Sequence, residues 1–198
     1  YFGMIKMFGD VPWLEKDLQT DSEELYKARD SRKVVFANML EDIDFAIANL
    51  PNAKNSEDRL TKYAALALKT EMCLYEGTYR KYHGLGEHEA ILREAVNAAE
   101  QIIASGLFSV YSTGKPDSDF YEMFVQDDKT GNPETIYCAI LIENIKMNNR
   151  ARNIWNSSIY RGYSKDFVET FLCTDGLPIS LSPLYQGDAS FDDQFINR

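Results

Sequence analysis

The feature of the sequence that most limits its fold is a run of apolar residues spaced by three and four positions. These residues are Phe36, Met39, Leu40, Ile43, Ala46, Ile47 and Leu50. Because an α-helix repeats every 3.6 residues, this spacing places them on one face, and acidic side chains fill much of the other. Ser31 is a suitable N-cap and Pro51 cannot continue a helix. The pattern predicts an amphipathic helix over about residues 32–49.

A second predicted helix begins after Thr61, another good N-cap. Its apolar stripe comprises Ala65, Leu68, Met72, Tyr75 and Tyr79. Small residues near its start, Ala64, Ala65 and Ala67, favour close approach of a neighbouring backbone. Tyr79 and Tyr82, on the helical stripe, are expected to be core or helix-end residues.

A third helix is predicted from about residue 89 to residue 105. Its inward face comprises Ile91, Leu92, Ala95, Ala99 and Ile102. Gly106 is expected to end it as a left-handed C-cap. Because short polar links join the three helices, they are predicted to be antiparallel neighbours.

Two Ala-Ala pairs, at residues 64–65 and 98–99, are separated by 34 positions, the period of tetratricopeptide repeats. They lie on consecutive predicted helices, whereas a 34-residue repeat relates every second helix. The spacing therefore supports helix pairing and does not support strict periodicity.

The helical pattern weakens after Gly106. Turn signals at residues 114–117 and 130–133 bracket the short aromatic piece FYEMF, residues 120–124. The β-branched and aromatic run ETIYCAILI, residues 134–142, is interpreted as a strand. A last amphipathic turn or two is expected from Asp166 to Leu172, capped by Ser164 and packing Phe167, Val168 and Phe171.

Charge and composition exclude several classes of protein. The 198 residues include 31 acidic and 21 basic side chains, a net charge of −10 that repels nucleic acids and anionic lipid surfaces. The longest apolar clusters fall short of the roughly 18–20 residues that span a bilayer. The three cysteines, Cys73, Cys138 and Cys173, contain no CxxC pair, so they are expected to be buried free thiols.

Catalytic and metal-binding patterns are weak. His83 and His88 are five positions apart with no third ligand nearby. The segment DDKTGN, which starts at Asp127, has alternating oxygen ligands but lacks the distal glutamate of a calcium loop. Glu41 and Asp42 are adjacent on a helix, so they point in different directions and cannot act as a glycosidase pair. No enzymatic activity, cofactor or metal is predicted.

One segment does have the composition of a recognition surface. NIWNSSIYRGYS, residues 153–164, places large rings among amides, hydroxyls and arginine. A sugar ring has an apolar C–H face and a polar rim, so flat side chains surrounded by hydrogen-bonding groups match it. The predicted ligand-binding residues are Trp155, Tyr160, Tyr163, Asn153, Asn156 and Arg161. The alternative is that these rings pin an irregular segment onto the helices, the role also expected of Trp13.

Six segments in this order resemble the SusD/RagB family of outer-membrane nutrient-binding lipoproteins. They are YFGMIKMFGDVPW, VFANMLEDIDFAIANLP, RLTKYAALALKTEMCLYEG, AVNAAEQIIASGLFSVY followed by FYEMF, ETIYCAIL, and YSKDFVETFLCTDGLPI. Family members are about two to three times longer and begin with a signal peptide and a lipid-bearing cysteine. The resemblance therefore implies that this chain is a middle fragment, incomplete at its C-terminus.

The resemblance implies a mainly α fold. Residues 1–112 would form a scaffold of tetratricopeptide-like antiparallel helix pairs, and residues 113–198 an irregular, partly β segment that presents the ligand. It also implies non-catalytic glycan binding at the outer cell surface and delivery to a SusC-like β-barrel transporter. Membrane attachment would depend on a lipid anchor absent from this chain. In the starch-binding type, sugar contacts come partly from the segment before YSKDFVETF.

Two other functions are compatible with the sequence. One is a tetratricopeptide-type adaptor whose groove holds a protein or peptide. The other is an α-helical enzyme acting on glycans, although few residues suited to catalysis are present.

Overall fold

A computed structural model describes residues 1–54, 59–126, 129, 131–138, 162–190, 193 and 197. Within these ranges the α-helices are α1 (Phe2–Phe8), α2 (Arg32–Asn49), α3 (Lys62–Tyr82), α4 (His88–Ala104), α5 (Pro116–Val125) and α6 (Lys165–Glu169). A 3₁₀ helix covers Glu23–Tyr26, and an isolated antiparallel bridge joins Val11 to Asp30. No strand is formed in the described ranges, so the predicted mainly α fold is confirmed.

The chain divides into two compact units, residues 1–147 and 148–198. The first contains α1 to α5 and the second contains α6. The boundary predicted after residue 112 lies between a scaffold and a ligand-presenting segment. Because that boundary is defined by function, it stays a prediction.

The helix ends predicted at Ser31 and Gly106 form as expected, whereas the cap predicted at Thr61 does not. Ser31 caps α2 by accepting a hydrogen bond from the Val34 N–H at 3.4 Å, as predicted. Gly106 follows α4 with a φ of +65°, the left-handed conformation that glycine adopts without strain. Thr61 precedes α3, but its predicted side-chain cap is absent because the hydroxyl is buried and makes no hydrogen bond within the described residues.

Helices α2, α3 and α4 are antiparallel neighbours, as predicted. Arg32 at the start of α2 forms an ion pair with Glu76 late in α3, and Asp44 later in α2 forms one with Lys69 earlier in α3. α3 and α4 pack closely at Gly77, where an added Cβ would lie 2.7 Å from the Leu92 side chain. The tetratricopeptide-like detail of the arrangement stays a prediction.

Two buried clusters form the core of the first unit. One comprises Ile5, Val11, Val35, Phe36, Met39, Met72, Cys73, Ile91 and Ala95. The other comprises Tyr63, Leu66 and Ala98. The prediction that Leu68 faces inward is wrong, because Leu66 and Lys69 occupy the buried side of that turn and Leu68 is exposed.

A buried carboxylate joins three parts of the first unit. Glu76 on α3 is fully buried, and its two oxygens accept hydrogen bonds from Nε of Arg32 at 2.7 Å and Nε of Arg80 at 2.8 Å. Arg32 also donates from Nη1 to the Ile5 carbonyl at 2.8 Å. A carboxylate without partners would be very costly in this position. The contacts therefore fix α1, α2 and α3 in one register.

Lys69 on α3 joins α2 and α4. Its ammonium lies 2.8 Å from both Asp44 on α2 and Glu94 on α4. Burial lowers the pKa of Lys69, but the hydrogen bonds to these two carboxylates outweigh it and the pKa is raised. The ammonium is therefore held in its charged form at neutral pH.

Residues 116–138 differ from the sequence prediction. Residues 116–125 form α5 where weakened helical order was expected, with Pro116 in the first turn and Asp117 and Asp119 beside it. Residues 134–138, the described part of the predicted strand, form a turn and irregular chain. Glu134 is drawn out of extended pairing because its backbone N–H donates to Asn132 Oδ1 at 2.9 Å. Residues 139–142 lie outside the described ranges.

The cysteines are free, as expected. Cys73 and Cys173 are buried and Cys138 is half-buried. Burial raises the pKa of Cys73 to about 11, so its thiol stays protonated and unreactive at neutral pH.

Candidate ligand-binding site

The structure describes one of the six residues predicted to bind ligand. Tyr163 is 82% exposed and lies directly before Ser164, the residue that caps α6. Asn153, Trp155, Asn156, Tyr160 and Arg161 lie outside the described residues. Their role in ligand binding stays a prediction.

Tyr163 begins a row of three rings that we call the aromatic ladder: Tyr163, Phe167 and Phe171. Ser164 Oγ accepts a hydrogen bond from the Phe167 N–H at 3.2 Å and so starts the helix at this point. One helical turn brings residues four apart together. The Tyr163 and Phe167 rings are stacked with centroids 5.2 Å apart, and Phe167 meets Phe171 edge to face at 5.6 Å.

The rings of the ladder face solvent to a large extent. The sequence predicted that Phe167 and Phe171 pack into a core, but they are 48% and 49% exposed. Their ring edges and faces contact one another along α6 instead. The missed signal was the spacing of four between Tyr163, Phe167 and Phe171, which brings the three rings together although only Phe167 lies within α6.

Ion pairs of Lys165 hold the chain beside the aromatic ladder. Lys165 pairs with Asp188 and lies 3.6 Å from Glu169. The hydrogen bond between Lys165 and Asp188 raises the pKa of Lys165 and lowers that of Asp188. These contacts tie α6 to a loop more than twenty residues further along the chain.

A turn follows the ladder and is held by Asp175. Its carboxylate accepts hydrogen bonds from the Ser182 hydroxyl at 2.7 Å and from the Leu177 N–H at 3.0 Å. The bond from Ser182 lowers the pKa of Asp175. The Cys173 N–H also donates to the Leu177 carbonyl at 2.9 Å. The ladder therefore leads into an ordered turn.

The exposed rings of the aromatic ladder are suited to contact with a ligand. Exposed flat rings bind the C–H face of a sugar, or another apolar surface, through dispersion and desolvation. Within the described ranges, no three His, Cys, Asp or Glu side chains are grouped to hold a metal ion. The helices of those ranges are also too short or too polar to cross a membrane.

Other aromatic residues take the structural roles predicted for them. Trp13 is half-buried, packs against the main core cluster and contacts the Tyr1 ring at 4.3 Å. Tyr79 is half-buried beneath the Arg32 guanidinium, 4.0 Å from its ring centroid, and Tyr82 lies exposed at the end of α3. His83 packs on the Tyr79 ring at 4.1 Å. Asp127, Asp128 and Thr130 of the calcium-like segment lie outside the described residues.

Comparison with known proteins gives one similarity. The chain is 30% identical over 128 residues to the SusD-like protein P38 of Formosa agariphila. The match covers 65% of this chain and 22% of that protein, so the chain spans about a fifth of the relative's length. It supports a relationship to SusD-like proteins over that stretch. No family model matches the chain. No solved structure matches it either.

Proposed function

We propose that the chain is part of a non-catalytic glycan-binding protein of the SusD type. It would bind oligo- or polysaccharide at the outer cell surface and deliver it to a SusC-like β-barrel transporter. The outer-membrane location, the lipid anchor and the transporter belong to this proposal through the family resemblance. The observation that carries it is the 128-residue similarity to a SusD-like protein.

The exposed rings support a binding function on physical grounds. Covering half of a ring that buries about 150–250 Å², at about 25 cal/mol per Å², contributes roughly 2–3 kcal/mol before losses. A millimolar ligand needs about −4 kcal/mol, so more than one ring is required. The aromatic ladder supplies Tyr163, and Trp155 and Tyr160 precede it in the sequence. Asn153, Asn156 and Arg161 would supply hydrogen bonds to the sugar rim.

Isothermal titration against a panel of soluble polysaccharides tests the proposal. Tyr163→Ala and Trp155→Ala are expected to weaken binding of the glycan that the unchanged chain binds. Tyr82→Ala is the matched control, because Tyr82 on α3 is exposed to the same 82%. Unchanged binding by both variants would remove the site assignment, and no binding of any glycan by the unchanged chain would remove the function.

The adaptor function remains the alternative candidate, favoured by apolar side chains that α3 and α4 expose. Leu74 and Ile103 are more than half exposed. An adaptor would bind a protein or peptide partner and give no response to carbohydrate. A peptide array and the glycan titration together therefore separate the two functions.

A further inference from the structure

A hollow lies beside the end of α5, in the first unit and apart in sequence from residues 153–164, the stretch predicted to contact ligand. We call it the α5 hollow. Its volume is about 380 Å³, and its lining includes Met123, Phe124, Lys129, Glu134, Thr135 and Tyr137. Small-molecule sites occupy roughly 300–1,000 Å³, so this hollow is large enough for a small ligand and too small for a long one.

Two aromatic rings line the α5 hollow and face solvent. Phe124 is 59% exposed and Tyr137 is 47% exposed. Phe120 meets Phe124 edge to face at 5.1 Å and holds its ring from one side. The Lys129 ammonium lies 5.4 Å from the centroid of the Phe124 ring. The hollow therefore combines flat apolar faces with charged and hydroxyl groups at its rim.

The chain that forms this hollow is fixed by a buried amide. Asn132 is 3% exposed; its Nδ2 donates to Gln126 Oε1 and its Oδ1 accepts from the Glu134 N–H, both at 2.9 Å. Its carbonyl accepts from Lys54 Nζ at 2.9 Å. These bonds set the positions of the residues on both sides of Asn132. A site held in this way loses little conformational entropy when it binds.

Glu134 is held in the same manner. Its Oε2 accepts a hydrogen bond from the Tyr111 N–H at 2.9 Å, and the neighbouring Pro133 carbonyl accepts from the Ser109 N–H at 3.2 Å. A carboxylate oriented by the backbone is a suitable acceptor for sugar hydroxyls. Among the described lining residues the charges of Lys129 and Glu134 balance, so this part of the hollow favours an uncharged ligand.

We propose that the α5 hollow is a second glycan-contact site, which binds one uncharged sugar residue against the rings of Phe124 and Tyr137. The proposal rests on the proposed function and adds contact residues that the sequence analysis did not name. Glu134, Lys129 and Thr135 provide the hydrogen bonds to the ring hydroxyls.

The test uses the whole chain and neutral soluble polysaccharides in affinity gels and titration calorimetry. Phe124→Ala and Tyr137→Ala are each expected to weaken binding about tenfold, because each removes one platform. Phe124→Trp keeps a flat ring and is expected to bind as the unchanged chain does, whereas Phe124→Leu keeps only the apolar character and is expected to bind weakly.

Phe45→Ala is the matched control, since Phe45 on α2 is also largely exposed and does not line the hollow. Its affinity is expected to change less than twofold, and circular dichroism of each variant checks the fold. If the unchanged chain binds glycan but Phe124→Ala and Tyr137→Ala bind as well as Phe45→Ala, the second site is overturned and the proposed function stands. Preference for uronate-rich or sulfated polysaccharides would overturn the inference that the ligand is uncharged. Failure of the unchanged chain to bind any glycan would overturn both proposals.

Discussion

Arg32 donates a hydrogen bond from Nε to Oε2 of Glu76 at 2.7 Å, and this contact joins α2 to α3 inside the core across 44 residues of sequence. The Arg32 guanidinium also covers the Tyr79 ring at 4.0 Å. Arg80 occupies the other oxygen of Glu76. The carboxylate thus compensates two buried cations, and neither arginine has another carboxylate as deeply buried beside it.

Glu76→Ala is expected to lower the free energy of unfolding by about 3–5 kcal/mol, because the buried Arg32 loses its carboxylate partner and the buried Arg80 keeps only Glu87, which is half exposed. Urea denaturation followed by circular dichroism measures the change. Glu71→Ala is the control on the same helix, since the Glu71 side chain is 64% exposed and lies 3.8 Å from Lys6. That change should cost less than about 1 kcal/mol. Equal effects of the two substitutions would contradict the role given to Glu76.

Gly77→Ala tests the close approach of α3 and α4. Alanine favours a helix by about 1 kcal/mol over glycine, but the added Cβ would lie 2.7 Å from Leu92 Cγ and 3.3 Å from its backbone nitrogen. Overpacking costs typically 1–3 kcal/mol, so a net loss of stability is expected.

Gly3→Ala provides the opposite case, because a Cβ at Gly3 on α1 meets nothing within 4 Å. Its thermal midpoint should be unchanged or higher, whereas that of Gly77→Ala should be lower. A stabilised Gly77→Ala would show that the two helices separate without cost.

The Cys73 thiol should make stability fall at alkaline pH. Its pKa is about 11 in the folded chain and ordinarily 9.0, so the unfolded chain loses this proton first. Stability from this group is fully present below pH 9 and is lost as the pH rises towards 11. The difference corresponds to roughly 2–3 kcal/mol.

Cys73→Ala removes this titration. The free energy of unfolding of the variant should be lower than that of the unchanged chain at pH 8. The difference between the two free energies should become smaller between pH 9 and pH 11. Urea midpoints at half-unit steps of pH measure both curves. Parallel curves through that range would rule out the thiol as their source.

The Asp119 carboxylate should make stability fall at acidic pH. Hydrogen bonds from the Thr113 hydroxyl and N–H and from the Ser112 hydroxyl lower the pKa of Asp119. Its contribution to stability is present above the ordinary carboxyl pKa near 3.9 and is lost as the pH falls through the lower folded value.

Asp119→Asn should therefore reduce the urea midpoint at pH 7, and the difference from the unchanged chain should shrink below pH 3. Asp117→Asn, a change at an exposed position two residues away, is the control and should have a small effect at pH 7. A difference for Asp119→Asn that is constant with pH would exclude the ionised carboxylate as its cause.

The helices that local rules determine were predictable from the sequence. α2 was predicted at 32–49 and is Arg32–Asn49, and α4 was predicted at about 89–105 and is His88–Ala104. In both helices, the spacing of the apolar residues and the residues at the helix ends indicate the same bounds. α5 was missed because its aromatic residues do not form one buried face. Phe120, Tyr121 and Phe124 are all exposed.

Contacts between distant residues were not predictable in the same way. Glu76 and Arg32 stand among many charged residues, and only the packing of α2 on α3 shows that they are buried together. The half-exposed positions of Phe167 and Phe171 likewise depend on what the second unit places around α6. Of the predicted ligand-binding residues, Tyr163 is exposed as a contact residue requires, and its role stays a prediction.

Lys54 reaches from the link after α2 to the carbonyl of Asn132, 78 residues further along the chain. That backbone carbonyl belongs to the residue whose side-chain amide fixes the wall of the α5 hollow. The wall of the hollow is thus anchored to the rest of the first unit at several points: by the Lys54 ammonium, by the Tyr111 N–H that donates to Glu134, and by Ile136, which packs against Tyr63, Leu66 and Ala98.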